Sequence, residues 1–303
     1  MSNFIFGPVQ SRRFGLSLGI DLSPNKKQCN FDCLYCELKG AKSVDAIQAP
    51  PTAQDIIDEL KIAFKKFSDI DVVTITANGE PTLYPHLKEL VNEINSIKNG
   101  KKLLILSNTS CIYDKKIQDA LLDIDIVKLS LDSVIPAMFK KLNRPHSSIN
   151  LEHILKGLKE FSKLFANELV LEILVVENFN DTRDEFIALN SIINEVNPSR
   201  VDISTIDRPS AYKVKAVSYE TLEILSREIK NIPVMIAKRK EFAKKNLSLN
   251  EEEIIQLLKM RPQSEEDISN ILDEESKKLL LNLLKKEKIK LINVIGINFY
   301  KSN

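Results

Sequence analysis

Hydrophobic and polar positions along this chain repeat with two alternating periods. Leu16, Leu18 and Ile20 alternate with Ser17, Gly19 and Asp21, the period-2 pattern of a strand. After Pro50-Pro51-Thr52, the residues Ile56, Ile57, Leu60, Phe64 and Phe67 fall on one face of a helix. Asp71 to Thr76 reads as a buried strand, and the helix after Pro85 turns Leu87, Leu90, Val91, Ile94 and Ile97 inward. The beat then recurs: strand 102–107 with helix 114–122, strand 126–131 with helices near 135–142 and 150–165, strand 169–176 with helix 182–196, and strand 201–206 with helix 218–231. Val234-Met235-Ile236 reads as one more short strand. Strand-then-helix units in series imply an α/β fold with parallel strands and outer crossovers. Periodicity alone leaves a doubly wound sheet and a barrel both open.

The pattern changes near residue 238. Residues 238–249, opening with Lys238-Arg239-Lys240, read as a charged linker between a large domain (1–237) and a small one (250–303). In the small domain a helix spans Glu251 to Lys259, Ser264 is a good N-cap for a second, and Asp273 starts a third. Segments either side of Gly296 complete a hairpin, and three helices plus a hairpin resemble a winged helix. Its third helix and wing carry Lys277, Lys278, Lys285, Lys286, Lys288, Lys290 and Lys301. Such a face suits RNA or DNA phosphates, a docked protein, or plain solvent.

Charge adds little. Residues 238–303 hold 14 Lys and Arg against 11 Asp and Glu, while the whole chain is +1. No run approaches the roughly 20 apolar residues of a membrane helix, and the N-terminus does not read as a secretory leader. A cytoplasmic protein with reduced thiols is the expectation.

Chemistry concentrates in Cys29-Asn30-Phe31-Asp32-Cys33-Leu34-Tyr35-Cys36, which holds three of the four cysteines as C-x3-C-x2-C. Thiolates are the ligands of iron–sulfur clusters, and three of them on a four-iron cubane leave one iron open for chemistry. Zinc would want paired C-x2-C elements or nearby histidines, whereas His86, His146 and His153 all lie far from the loop in sequence. A ferredoxin would want a fourth cysteine at short spacing, and Cys111 stands alone, where a small buried hydrophobe is the default and a radical-donating thiol the alternative.

The cysteine motif, with Tyr35 before its last cysteine, resembles the signature of the radical S-adenosylmethionine (SAM) superfamily. Phe6-Gly7-Pro8-Val9-Gln10-Ser11-Arg12-Arg13-Phe14-Gly15 resembles the opening of iron–sulfur oxidoreductases related to wyosine-forming tRNA enzymes. The resemblance spans roughly the first 210 residues. It implies a partial (β/α)6 barrel and a [4Fe–4S] cluster on Cys29, Cys33 and Cys36. It also implies SAM on the open iron, Tyr35 beside the adenine, and an external electron donor of flavodoxin or ferredoxin type. The expected reaction is reductive cleavage to a 5′-deoxyadenosyl radical that modifies a substrate, with tRNA or RNA first and a peptide or small metabolite next. A nucleic-acid-binding redox sensor is the reading from another class. Archaeal wyosine enzymes carry a second cluster, for which this chain has too few cysteines.

In a barrel of this kind reacting groups follow the strands. Asn78-Gly79-Glu80-Pro81 is similar to the glycine–glycine–glutamate segment whose backbone binds the SAM amino group, with Asn78 replacing a glycine. Asn108, Ser130 and Asp132 could bond the ribose and carboxylate, or merely cap helices. Glu172 is a lone charge among aliphatics, and Lys128 shares a face with Ser130. Asp181 and Thr182 read best as caps. Arg12, Arg13, Arg144 and Arg208 could form a cationic mouth for SAM's carboxylate or an anionic substrate.

Overall fold

The computed structural model describes residues 4–11, 13–236, 245–294 and 296–303. Eight strands form one sheet in strict sequence order: β1 (Ile5–Ser11), β2 (Gly15–Asp21), β3 (Val72–Thr76), β4 (Lys102–Ser107), β5 (Ile126–Ser130), β6 (Glu168–Val175), β7 (Arg200–Thr205) and β8 (Val234–Ile236). β2 through β8 are parallel, and β1 is added antiparallel to β2. The sequence reading lacked β1, because Phe6 to Ser11 was read as a motif and not as a strand.

Between the strands run α1 (Ala53–Lys66), α2 (Leu87–Ile97), α3 (Lys115–Leu121), α4 (Pro136–Asn143), α5 (Leu151–Leu164), α6 (Arg183–Val196) and α7 (Tyr219–Ser226). Their starts follow local chemistry: Thr52, Asp114, Asn150, Thr182 and Ser218 each accept a backbone N–H from the first turn. The Thr182 cap agrees with the sequence expectation, and α7 stops well short of the expected residue 231.

Strand parity separates two environments. Val73, Ile75, Leu103, Ile105, Val127, Leu129, Leu171 and Ile173 face outward into one large core with Ile56, Leu60, Leu90, Ile94, Leu158, Phe161, Phe186 and Leu189 of the helices. The opposite face curls inward. Its lower end is closed by Val72, Leu104, Ile126 and Val170 around Phe14. Helices on one face only, and a small plug on the other, make this a partial barrel and not a doubly wound sheet. β1 and β8 are not paired, so the barrel has a lateral gap.

The C-terminal part comprises α8 (Glu251–Met260), β9 (Gln263–Ser264), α9 (Glu265–Ile271), α10 (Glu274–Lys285), β10 (Ile289–Val294) and β11 (Ile297–Ser302). The sheet runs β10-β11-β9, all antiparallel. Capping boxes at Asn250/Glu253 and Ser264/Asp267 start α8 and α9. This part is not tethered loosely. Val9 of β1 belongs to its apolar core with Ile254, Leu257, Leu258 and Leu280, and Phe6 packs against that core. Of the expected linker, 238–244 lie outside the described residues. Lys245 and Leu247 donate backbone hydrogen bonds to Asn270 and Ile271, so this end of the linker packs as part of the small domain.

Candidate active site

The cysteine loop leaves the C-terminal end of β2 and is held by backbone on both flanks. On one side Gln28 pairs with Gly79: Gln28 N donates to Asn78 O at 2.8 Å, and Glu80 N donates to Gln28 O at 3.0 Å. Gly79 has φ +143°, and a Cβ there would lie 1.7 Å from the Gln28 carbonyl oxygen. The close approach requiring glycine is therefore to the cysteine loop itself. On the other side, the end of α4 offers carbonyls that its own helix cannot use. Leu34 N donates to Leu142 O at 3.0 Å and Asp32 N to Asn143 O at 3.1 Å, where Arg144 turns the chain at φ 47°.

N–H donors point at the sulfurs. Asn108 Nδ2 lies 3.6 Å from Cys29 Sγ, Phe31 N 3.4 Å from the same atom, and Asn143 Nδ2 3.6 Å from Cys33 Sγ. All four cysteines are free. Burial pushes the Cys29 thiol up to about 12, with the Glu80 charge adding to it. Burial also raises Cys33 and Cys36, although Lys27 opposes it at Cys36. Three such thiols become thiolates together only beside a group that brings positive charge, and that donor set fits an iron–sulfur cluster. Among the described residues no three His, Cys, Asp or Glu side chains converge on one ion, whereas a cubane takes each thiolate at a separate iron.

The carboxylates after the strands brace the loop. Glu80 is buried, its oxygens accepting from Thr82 N at 2.9 Å, Thr82 Oγ1 at 2.7 Å, Ser107 Oγ at 2.8 Å and Asn108 N at 2.7 Å. Asn108 spends its Nδ2 on Cys29 and on Asn30 Oδ1 at 2.9 Å. Asp132 accepts from the Tyr35 hydroxyl, from Asn143 Nδ2 at 2.8 Å and from Leu174 N at 2.9 Å. Glu80, Asn108 and Asp132 therefore support β-strand ends and cysteine loop through bonds already made within the protein. Pro81 opens a buried 3-10 turn after Glu80, and Asn78 N donates to Asp21 Oδ1 at 2.6 Å. Cys111 lies beside the same network, 3.7 Å from Asn30 Nδ2.

Inside the barrel sits a charged layer. Lys128 Nζ is 2.7 Å from Glu172 Oε1 and 3.2 Å from Asp202 Oδ2; Arg13 reaches the same two carboxylates at 3.0 and 3.2 Å. Burial would raise Glu172, but Lys128 and Arg13 outweigh it and hold it below the ordinary value. Above this layer the lumen opens: Leu106 is 38% exposed on the inner parity, with Ser130 and Leu174 half-buried beside it. Arg208 is not in the lumen layer. It sits at the seam with the C-terminal part, donating from Nε to Pro262 O at 3.0 Å. Arg144 stacks over the Tyr212 ring at 4.7 Å and faces Asp32 of the cysteine loop at 3.5 Å, and Arg12 lies outside the described residues. Among the described residues, Arg13, Arg144 and Arg208 each have a different local partner and do not converge on one mouth.

Sequence reasoning missed Asn30, Asn143, Lys27 and Asp202. Asp202 alone had a signal, a charge at the second position of the strand 201–206.

The Radical SAM superfamily profile matches residues 27–189, more than half of the chain. A UPF0026 protein of Helicobacter pylori is 41% identical over 298 residues, covering 98% of this chain and 96% of its own. Among solved structures, a radical SAM methyltransferase from Sphaerobacter thermophilus superposes with a TM-score of 0.58 at 11% identity, over 73% of this chain and 65% of that one. Streptococcus suis SuiB, solved bound to S-adenosylmethionine, gives 0.55 at 18% identity over 70% of this chain and 49% of its own length. Among the described residues no helix is long and apolar enough to cross a membrane. Three cysteines at a parallel-barrel mouth, the profile match and the full-length relative together make this chain a member of the radical SAM superfamily, an enzyme of the class that works with a [4Fe–4S] cluster and S-adenosylmethionine and draws on an electron donor.

Proposed function

We propose that Cys29, Cys33 and Cys36 ligate the cluster and that the enzyme abstracts hydrogen from a small substrate held in the barrel lumen. When bound, cluster and SAM supply a 5′-deoxyadenosyl radical by one-electron cleavage of the sulfonium, the electron coming from a flavodoxin- or ferredoxin-type donor. The chain's own residues do the rest. Asn108, Asn143 and the Phe31 amide steady the sulfurs; Ser130 and the backbone at Asn78 to Glu80 border the space for SAM; Tyr35, fixed by Asp132, forms its wall. Glu172, fixed by Lys128 and Arg13, offers a carboxylate to a substrate donor from below. Leu106 and Leu174 line the remaining wall and keep water from the reacting carbon.

The observation that carries this reading is that Leu106, Ser130 and Leu174, all of inward parity, are left partly uncovered, with Leu174 packed in one cluster with Leu34 and Tyr35 of the three-cysteine loop. A small substrate is favoured over RNA by the C-terminal lysines. Lys277 and Lys278 pair with Glu274 and Glu275 at 2.9 and 2.8 Å, and Lys286 and Lys288 face Glu251 at 3.4 and 3.8 Å. Each of these weak pairs would have to open before its lysine could take a phosphate. The winged-helix-like shape supports a docking role at most.

The test is anaerobic: reconstitute with iron and sulfide, add dithionite and SAM, and look for 5′-deoxyadenosine by mass spectrometry. Product that vanishes in Cys33→Ala supports the assignment, and product that survives in that variant overturns it. A rise in product on adding bulk tRNA, with none on adding a small-molecule extract, would replace the small-substrate reading with the RNA one.

A further inference from the structure

The barrel and the C-terminal part meet at a seam that gathers guanidinium groups whose neighbouring carboxylates lie beyond hydrogen-bond reach. Arg208, just past β7, is 8% exposed. Beyond its bond to Pro262 O, its terminal nitrogens find carboxylates only at ion-pair range: Asp207 at 3.6 Å, Glu37 at 3.8 Å and Asp267 at 3.9 Å. Arg261 adjoins Pro262 and ends α8; its Nε is buried and has no hydrogen-bond partner among the described residues. Among the described residues, Nη2 of Arg13 is buried without a hydrogen-bond partner as well. Burial and then the like charge of Arg208 bring Arg261 down to about 10. Buried donors lacking acceptors are costly, and two adjacent guanidiniums repel each other. An oxyanion seated between them would relieve both. The seam also borders the active centre: Glu37 directly follows Cys36, and Ala211 N donates to Cys36 O at 2.8 Å.

We infer that Arg208 and Arg261 form a subsite for an anionic group of the substrate, a phosphate or carboxylate, built jointly by the barrel and the C-terminal part. This rests on the lumen being the substrate site. Planar guanidinium forks suit either oxyanion through paired N–H donors. The C-terminal part then contributes directly to substrate recognition through Arg261.

The experiment is calorimetric titration of inorganic pyrophosphate into the reconstituted full chain without reductant, so that the result stands apart from any failure of radical chemistry. Pyrophosphate binds, and Arg208→Gln and Arg261→Gln each weaken it at least tenfold. Glu37→Gln, at a half-exposed position where folding is not at risk, removes a competing charge and tightens binding severalfold. Absence of binding, wild-type affinity in either arginine variant, or unchanged affinity in Glu37→Gln overturns the inference. So does displacement of pyrophosphate by SAM, which would assign the arginines to the cofactor's carboxylate.

Discussion

The Gln28 carbonyl oxygen passes Gly79 so closely that a methyl group on Gly79 would lie 1.7 Å from it. Backbone cannot yield as a flexible side chain does, and φ +143° is itself hostile to a Cβ. Gly79→Ala should therefore unseat the cysteine loop, destabilising the fold by about 3 kcal/mol or more. Iron bound per chain after reconstitution, read beside the urea midpoint, checks it. Wild-type iron content in a stable Gly79→Ala protein would contradict the packing argument.

Tyr35 and Asp132 make a second testable pair. Tyr35→Phe removes one donor from a carboxylate that keeps two others, and should cost about 1 kcal/mol. Asp132→Leu strands the Tyr35 hydroxyl, Asn143 Nδ2 and Leu174 N, and should cost about 3 kcal/mol or more. If Asp132 served the SAM ribose instead, substitution would raise the KM for SAM and leave the denaturation midpoint in place.

Two glutamates, Glu172 half-buried and Glu185 buried, should give pH dependences of opposite sign. Lys128 and Arg13 hold Glu172 below 4.5 against the effect of burial, so its contribution is complete above the unfolded value and is lost as pH falls through the folded one. Glu172→Gln should thus be destabilised by about 2 kcal/mol at pH 7, the gap closing in acid. Glu185 is raised by burial, which outweighs the hydrogen bond from Ser133. Its contribution is complete below 4.5 and is lost as pH rises through the folded value. Glu185→Gln should match wild type at pH 4 and exceed it in stability at pH 8. Parallel slopes in the two variants would refute one sign.

Val9 ties the N-terminal strand to the C-terminal core. Val9→Asp buries an unpaired charge there, and should expose residues 245–303 to limited proteolysis at concentrations that leave wild type intact. Proteolysis at the wild-type rate would show that the two parts do not depend on that contact.

Much of this was readable in advance. Every parallel strand announced itself, because strands covered by helices on one side need apolar residues at alternate positions whatever their neighbours. β1 escaped, since Gly7 and Pro8 break its alternation and its value lies in partners far along the chain. The cysteine spacing disclosed the chemistry, but the roles of Glu80, Asn108 and Asp132 were not legible. A polar residue after a strand looks the same in sequence whether it faces a cofactor or a neighbouring loop. Arg261 was invisible for a related reason: a lone arginine at a helix end acquires meaning only when a second chain segment brings Arg208 beside it.

The α4 carbonyls that receive the amides of Asp32 and Leu34 carry a final consequence. The cysteine loop takes part of its shape from the barrel's own backbone and not from its thiols. A cluster held as proposed by Cys29, Cys33 and Cys36 would then bind a loop already partly ordered by folding. Loss of the cluster to oxygen should accordingly leave a folded, refillable apoprotein, unlike small metal-dependent domains that unravel when stripped. For this chain, damage and repair become an exchange at a standing cradle.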